Sequence, residues 1–329
     1  MHGGGKSTDS GVLSRAQGCL LGQLIGDSLG SLVEFTRLSE IHRRYPNGVR
    51  DMADGGTWNT IAGQPTDDSE MALMLARSLV AQGRFDVEEV RKGYRYWLDS
   101  GPFDVGNTIQ CGLAGWHIPD SQANGAMMRI SPLGIFGVNY KLEEVAEWAK
   151  QDAAITHIHP VCQQANALFA MAIARAVGTG CGASELYSQV VEWAEEMDVR
   201  ASLKQIIAGA NDSPPDDYVD KMGWVLIAFR NALWQLLHAD SVEEGIVDTI
   251  MRGGDTDTNA AIGGALLGAV YGREAIPTRW IETIRNCRPR AGDPRVREPR
   301  PECFWPVDAL ELAEQLVGRG GSDTEADAG

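Results

Sequence analysis

The sequence predicts an all-α protein, a compact single-domain helical bundle, and three observations lead there. Apolar residues recur at helical spacing over eight stretches: 70–82, 142–151, 162–177, 184–196, 222–238, 242–251, 259–271 and 307–317. The apolar–polar alternation of a half-buried strand is nearly absent. Glycines at 18, 22, 26 and 30 recur every four residues in an apolar segment, so they share one helix stripe and let another backbone approach closely.

Residues 1–12 are read as a flexible tail, because Gly, Ser and Asp leave little apolar surface to offset the entropy of ordering. The domain spans 13–317 and opens on the glycine-striped helix. Asp27 interrupts that apolar run beside Gly26, where an unpaired carboxylate is costly to bury. Loops rich in Gly, Pro, Asn and Asp follow near 46–66, 99–108, 117–131 and 210–220, and loops of that length usually serve a site. Gly264 and Gly268 repeat the close-packing device within 259–271. Beyond Asn286, Arg288, Arg290, Arg295, Arg297 and Arg300 stand among prolines. We read this as a solvated extended segment, with a docking surface for an acidic partner as the alternative. Residues 318–329 form a second flexible tail.

The 43% hydrophobic content of the 329 residues supplies a substantial core. No apolar run approaches the roughly 18 to 20 residues of a membrane span, and the N-terminus lacks the order of a secretory signal, so a cytoplasmic protein is expected. Six cysteines scattered singly, without metal-site spacing, point to reduced thiols. A formal charge of −16 repels a phosphate backbone, which excludes a general nucleic-acid binder and suits cations.

Chemistry concentrates in two acidic clusters. Thr66-Asp67-Asp68-Ser69-Glu70 directly precedes an apolar helix, and Gly253-Gly254-Asp255-Thr256-Asp257-Thr258-Asn259 precedes another. Helix capping explains one such residue in either cluster. Two clusters of carboxylates and hydroxyls are better explained as halves of one site for a hard divalent cation such as Mg²⁺ or Mn²⁺. Asn124-Gly125-Ala126-Met127-Met128-Arg129 is a small-residue turn that could present N–H groups and a guanidinium to a phosphate. Asp104-Val105-Gly106-Asn107 reads as an Asx turn in a long loop. His157 and His159 lack the partners of a zinc site. Nucleophile-elbow, Walker and dinucleotide-binding motifs are absent, and those enzyme classes drop out.

Taken in order, Gly22-x-x-x-Gly26-Asp27-x-x-Gly30, Glu34, the Thr66 cluster, Asp104-Val105-Gly106-Asn107, Asn124-Gly125-Ala126-x-Met128-Arg129-x-x-Pro132, Thr156-His157 and the Asp255 cluster resemble the ADP-ribosylglycohydrolase family. The likeness runs from about Gly18 to Trp280 and on to the final helix near Glu311. It is nearest to the bacterial dinitrogen reductase-activating type, because Glu34 follows the glycine helix and Asp104 sits in a Gly-Pro-Phe-Asp-Val-Gly context. The resemblance implies a compact all-helical bundle of that type with two Mg²⁺ or Mn²⁺ ions. It further implies metal ligands at Thr66, Asp67, Asp68, Asp255, Asp257 and Thr258. An ADP-ribose pocket would be lined by Asn124, Gly125, Ala126 and Met128, with His157 and the loop at Gly253 and Gly254 near the ligand and Arg129 bracing the loop. Ser69 stands where a second Thr is frequent, Ala123 stands where Gly is common, and the Arg/Pro-rich stretch is a further departure.

The implied reaction is hydrolysis of the N-glycosidic bond between ADP-ribose and a protein side chain, most readily an arginine. Asp104 is assigned the proton transfer, with Glu34 as the alternative acid or base. The expected partner is an ADP-ribosylated protein, the expected state a monomer. The alternatives are a hydrolase of O-linked ADP-ribose, on serine, a polymer or a small molecule, and an immunity protein that counteracts a cognate ADP-ribosyltransferase toxin.

Overall fold

The structure is a computed structural model that describes residues 9–319; most of the two predicted tails lies outside the described residues. Fifteen α-helices form within them: α1 (Ser10–Gly30), α2 (Leu38–Arg44), α3 (Asp67–Gln82), α4 (Val87–Asp99), α5 (Asn107–Leu113), α6 (Ser131–Phe136), α7 (Leu142–Ala154), α8 (Pro160–Thr179), α9 (Ala183–Glu196), α10 (Ala201–Gly209), α11 (Val225–His238), α12 (Val242–Met251), α13 (Thr256–Tyr271), α14 (Thr278–Asn286) and α15 (Ala309–Arg319). No strand forms among the described residues, only two isolated bridges, Gly55 with Thr60 and Ala123 with Trp224. The first helix begins three residues before the predicted domain start, because Asp9 accepts a hydrogen bond from the Gly11 N–H at 2.9 Å and caps it.

The bundle is organised by α1 and α13, which run antiparallel with their backbones in direct contact. A Cβ on Gly22 would overlap the Gly264 carbonyl, one on Gly18 the Gly268 carbonyl, and one on Gly26 the Ala260 carbonyl. The four-residue glycine spacing is therefore a row of missing side chains at which two helices touch. Both helices are buried along most of their length; α11 and α12 cover α13, while α8 and α15 cover α1. One result matters for function. The C-terminal end of α1 meets the N-terminal end of α13, where the Thr256 hydroxyl donates to the Gly30 carbonyl at 2.7 Å.

Helices α4 and α14 did not emerge from apolar periodicity. Each buries only a few large side chains, Val90, Tyr94 and Trp97 in α4 and Trp280 and Ile284 in α14, so their apolar stripe is narrow and the charged face dominates the sequence. The Arg/Pro-rich stretch is extended, with Arg288, Arg290, Arg295 and Arg297 exposed as expected, and Arg300 is the exception. The stretch is pinned to the body, with Arg300 buried and donating to both Glu70 carboxylate oxygens at 2.8 Å and to the Ser100 hydroxyl at 2.8 Å. The Gln64 side chain donates to the Glu298 carbonyl at 2.6 Å, and the Arg300 N–H donates to the Pro289 carbonyl at 2.9 Å. A buried carboxylate needed a cation, and composition could not show which arginine would supply it.

Gly22→Val drives a branched side chain into the facing carbonyl and must part the two central helices. Urea unfolding should show a loss of about 3 kcal/mol or more, the upper range of overpacking. Gly318→Ala, whose Cβ meets nothing within 4 Å, should leave stability unchanged or slightly raised. Equal effects of the two would contradict the close-contact account.

Candidate metal centre and substrate pocket

Three helix ends converge on one point: the last turns of α1 and the first turns of α3 and α13. Neither Thr66 nor Asp255, the residues at the N-cap positions of α3 and α13, makes a side-chain capping bond. Asp27 caps α3 from across the bundle, accepting from the Thr66 N–H at 3.1 Å, the Thr66 hydroxyl at 2.9 Å and the Ser69 N–H at 3.1 Å. The capping explanation of the two acidic motifs therefore fails locally. Asp27 does that work for α3, in α13 Asp257 Oδ1 accepts from the Thr258 N–H at 2.9 Å, and Asp67, Asp68, Asp255 and the second oxygen of Asp257 are left for something else.

What they surround is oxygen-rich, and no Lys or Arg among the described residues forms an ion pair with it. Ligand atoms of Asp27, Asp68 and Asp257 lie within 4.8 Å of one another, and so do those of Glu34, Asp104 and Asp257, making Asp257 common to both groups. Asp68 Oδ1 and Asp257 Oδ2 are buried with no hydrogen-bond partner among the described residues. The remaining acids are aimed by neighbours. Asp67 accepts from the Gly106 N–H at 3.2 Å, and Asp255 accepts from Asn124 Nδ2 at 2.7 Å. The Thr258 hydroxyl donates to Asp68 at 3.4 Å. The Trp58 indole N–H donates to Glu34 at 2.6 Å, and the Thr57 hydroxyl donates to the Glu34 carbonyl at 2.7 Å.

Burial without a countercharge raises every one of these carboxyls. Desolvation moves Asp27 to about 7 and Asp67 to about 6. Desolvation and then Asp255 move Glu34 to about 8, and desolvation and then Asp67 move Asp104 to about 10. Asp68 and Asp257 lie well above the carboxylate range, first from burial and then from neighbouring carboxylates. Asp255 is raised by burial as well. Unpartnered buried oxygens, crowded carboxylates and hard donors together fit divalent cations that prefer oxygen. Such an ion replaces the missing positive charge.

Beside this cluster opens a pocket of about 270 Å³. Glu34, Asp67, Asp104, Asp255 and Thr258 line its acidic end, and Asn124, Gly125, Met128, His157 and Ile109 line the other. Phe35 stands exposed at its edge. Ala126 lies behind the wall, where its carbonyl accepts from Asn166 Nδ2 at 3.2 Å. Gly253 and Gly254 are not on the lining. They form a left-handed turn, and the Gly254 carbonyl accepts from the Phe35 N–H at 3.1 Å. Arg129 does not face the pocket. It is fully buried, donating to Asp152 at 3.0 Å, the Gly125 carbonyl at 3.2 Å and the Thr156 hydroxyl at 2.9 Å, so it braces the loop rather than meeting a phosphate. Desolvation and then Arg129 push His157 down to about 3, so it is neutral. Its Nε2 has no protein partner.

Sequence reasoning missed two residues here. Asp27 was flagged as costly to bury but not joined to the acidic set. Trp58 gave no signal, being one aromatic in a long loop.

The family model described as ADP-ribosylglycohydrolase matches residues 8–324. The chain is 30% identical to the ADP-ribosyl-[dinitrogen reductase] glycohydrolase of Rhodospirillum rubrum, over 84% of this chain and 92% of that protein. It is 28% identical to the ADP-ribosylarginine hydrolase Tri1 of Pseudomonas putida (strain GB-1), over 98% and 82%. It is 25% identical to the ADP-ribosylhydrolase ARH3 of Homo sapiens, over 83% and 90%. A solved structure described as an ADP-ribosylglycohydrolase-related protein complex superposes with a TM-score of 0.77 at 26% identity, covering 94% of this chain and 99% of that one.

Because these carboxyls titrate higher in the folded chain than unfolded, the folded state holds extra protons. The stability they contribute is present at low pH and lost as pH rises through the folded values. Metal-free protein should therefore melt at progressively lower temperature from about pH 5.5 to about pH 8.5, and Mg²⁺ or Mn²⁺ should raise the Tm more at the upper end. A metal effect that is flat or larger at low pH in differential scanning calorimetry would count against the cluster as the binding site.

Proposed function

We propose that this chain, which belongs to the ADP-ribosylglycohydrolase family and so acts on ADP-ribosylated substrates, hydrolyses the N-glycosidic bond of ADP-ribosyl-arginine in modified proteins. The observation that carries the reading is a buried carboxylate cluster that no Lys or Arg among the described residues pairs, beside a pocket that ends in a neutral histidine whose Nε2 has no partner among them. Asp27, Thr66, Asp67, Asp68, Asp255, Asp257 and Thr258 would hold two Mg²⁺ or Mn²⁺ ions, which would supply Lewis acidity and a lowered water pKa.

The chain's own residues account for the remaining steps. Asn124 has its amide engaged by Asp255, so it fixes that acid, while Gly125 and Met128 give the ligand its floor. A Cβ on Gly125 would press on Ile109 and on the His157 ring, which favours glycine at this wall. The Thr156 hydroxyl accepts from Arg129 and is 2.7 Å from His157 Nδ1, so when it donates its proton there the neutral imidazole carries its own proton on Nε2. The ring thus offers a donor to an anionic ligand without carrying charge. Gly253 and Gly254 act one step removed, by holding Phe35 at the pocket edge.

As the bond from the ribose anomeric carbon to the guanidine nitrogen breaks, positive character grows on the sugar, and the surrounding carboxylates favour it. Asp104 delivers a proton to the departing guanidine nitrogen, while water bonds to the anomeric carbon and gives up its proton to a carboxylate. Glu34, aimed by Trp58 and close to Asp104 and Asp257, is the residue for that second role. The products are arginine and ADP-ribose. Burial and neighbouring carboxylates raise both groups, Glu34 to about 8 and Asp104 to about 10, so when bound cations draw the pair down Asp104 is the one that keeps its proton and Glu34 the one that loses it.

The test is incubation with arginine-ADP-ribosylated protein plus Mg²⁺ or Mn²⁺ and mass spectrometry of the released group, with serine-linked ADP-ribose as comparator. Arginine-linked substrate should release ADP-ribose, and Asp104→Asn should lower kcat by about 10² to 10⁴ while keeping the metal-induced rise in Tm. Full activity of Asp104→Asn with metal bound would overturn the assignment. Release from the serine linkage alone would overturn the arginine reading.

A further inference from the structure

Against a net charge of −16, six arginines fall within residues 285–300. The segment that carries them is fixed. Arg300 anchors it to Glu70, the Trp305 indole N–H donates to the Arg300 carbonyl at 2.8 Å, and the Arg290 guanidinium lies 5.7 Å over the Trp305 ring. Between this strap, α14 and the loop over 51–66 lies a groove of about 680 Å³, with Arg279, Arg288, Arg290 and Arg295 on its walls.

The groove lining holds four arginines, Arg279, Arg288, Arg290 and Arg295, against three acids, Asp54, Glu282 and Asp293, a surplus of positive charge in a chain whose net charge is −16. Asp293 is engaged by Arg295 at 2.9 Å, and Asp54 accepts from the Ala62 N–H at 2.9 Å. Arg279 is shared between Asp51 and Glu243. Arg285, Arg288, Arg290 and Arg297 are exposed and in no ion pair among the described residues, and the nearby acids likewise in no ion pair are Asp54, Glu282, Glu298 and Glu302. Cations held on a pinned strap cannot relax away from one another, and an incoming anion relieves the repulsion.

We propose that this groove docks an acidic segment of the ADP-ribosylated protein substrate, a contact that free ADP-ribosyl-arginine cannot make. The inference rests on the reading of the substrate as a modified protein. Both walls of the groove lead into the catalytic centre. The loop whose Asp54, Ile61 and Ala62 line the groove also carries Trp58 to Glu34 and ends at Thr66. The strap's Arg300 holds Glu70, three residues beyond Asp67 on α3. The rest of the chain is strongly acidic and repels an acidic partner, so a basic groove sets orientation as well as attraction.

The test uses the full-length protein and the double variants Arg288→Glu plus Arg290→Glu and Arg288→Ala plus Arg290→Ala. Both side chains are exposed, so circular dichroism should be unchanged. Fluorescence anisotropy would follow a labelled Asp/Glu-rich peptide, with an Asn/Gln-rich peptide as control. The acidic peptide should bind the wild-type chain, lose affinity with added salt, and bind the Glu variant about tenfold or more weakly. In kinetics, KM for an ADP-ribosylated protein with an acidic segment beside the modified arginine should rise by a similar factor. The kcat/KM for ADP-ribosyl-arginine should stay within about twofold. No peptide binding, equal binding by the variants, or equal binding of the Asn/Gln peptide would overturn the proposal. Failure of the arginine reading would look different: the wild-type protein would bind the acidic peptide yet release no ADP-ribose from arginine.

Discussion

Backbone contact between α1 and α13 is the constraint on which the rest of the structure depends. Glycines 18, 22 and 26 face Gly268, Gly264 and Ala260, and without side chains between them the two helices meet directly. That contact sets Asp27 on one helix against Asp257 on the other, with ligand atoms within 4.8 Å. Helix α3 joins because Asp27 caps it, which brings Asp67 and Asp68 to the same point. Three helix ends and five buried acids follow from one row of missing side chains.

Electrostatics then makes the arrangement unfavourable unless something is added. Asp27 lies in the last turns of α1, where the helix dipole already disfavours a negative charge, and its neighbours are carboxylates. The chain has two ways out: hold protons, as the raised carboxyls do, or hold divalent ions. Buried pairs elsewhere are complete by contrast. Arg129 with Asp152 and Arg300 with Glu70 satisfy one another, and Tyr94 and Trp97 donate to the same two acids at 2.7 and 2.8 Å. They stiffen the walls around a centre that is left uncompensated, a pattern expected where stability is traded for a site.

Much of this was legible in the sequence. Four-residue glycine spacing predicted the close helix contact, and the two acidic motifs predicted the meeting of α3 and α13, because both depend on local pattern. Other features depend on the tertiary fold. Asp27 could be seen as costly but not as the cap of a helix 39 residues away. Arg300 looked like its neighbours Arg295 and Arg297 until Glu70 was found beside it. Helices α4 and α14 hide their narrow apolar stripes among charges, and Trp58 reaches Glu34 only because the loop over 46–66 folds back. Gly253 and Gly254 were assigned to the pocket from a motif, whereas their left-handed turn serves Phe35 instead.

The acids gathered by α1, α3 and α13 form a centre suited to divalent cations rather than a protonated polar core. A crystal structure grown with Mn²⁺ and measured at the manganese edge tests it most directly. The account predicts anomalous peaks among Asp27, Asp68 and Asp257 and beside Asp67 and Asp255, each surrounded by oxygens at about 2.1 to 2.3 Å. Well-ordered carboxyls hydrogen-bonded to one another, with no peak between them at millimolar Mn²⁺ and neutral pH, would contradict it.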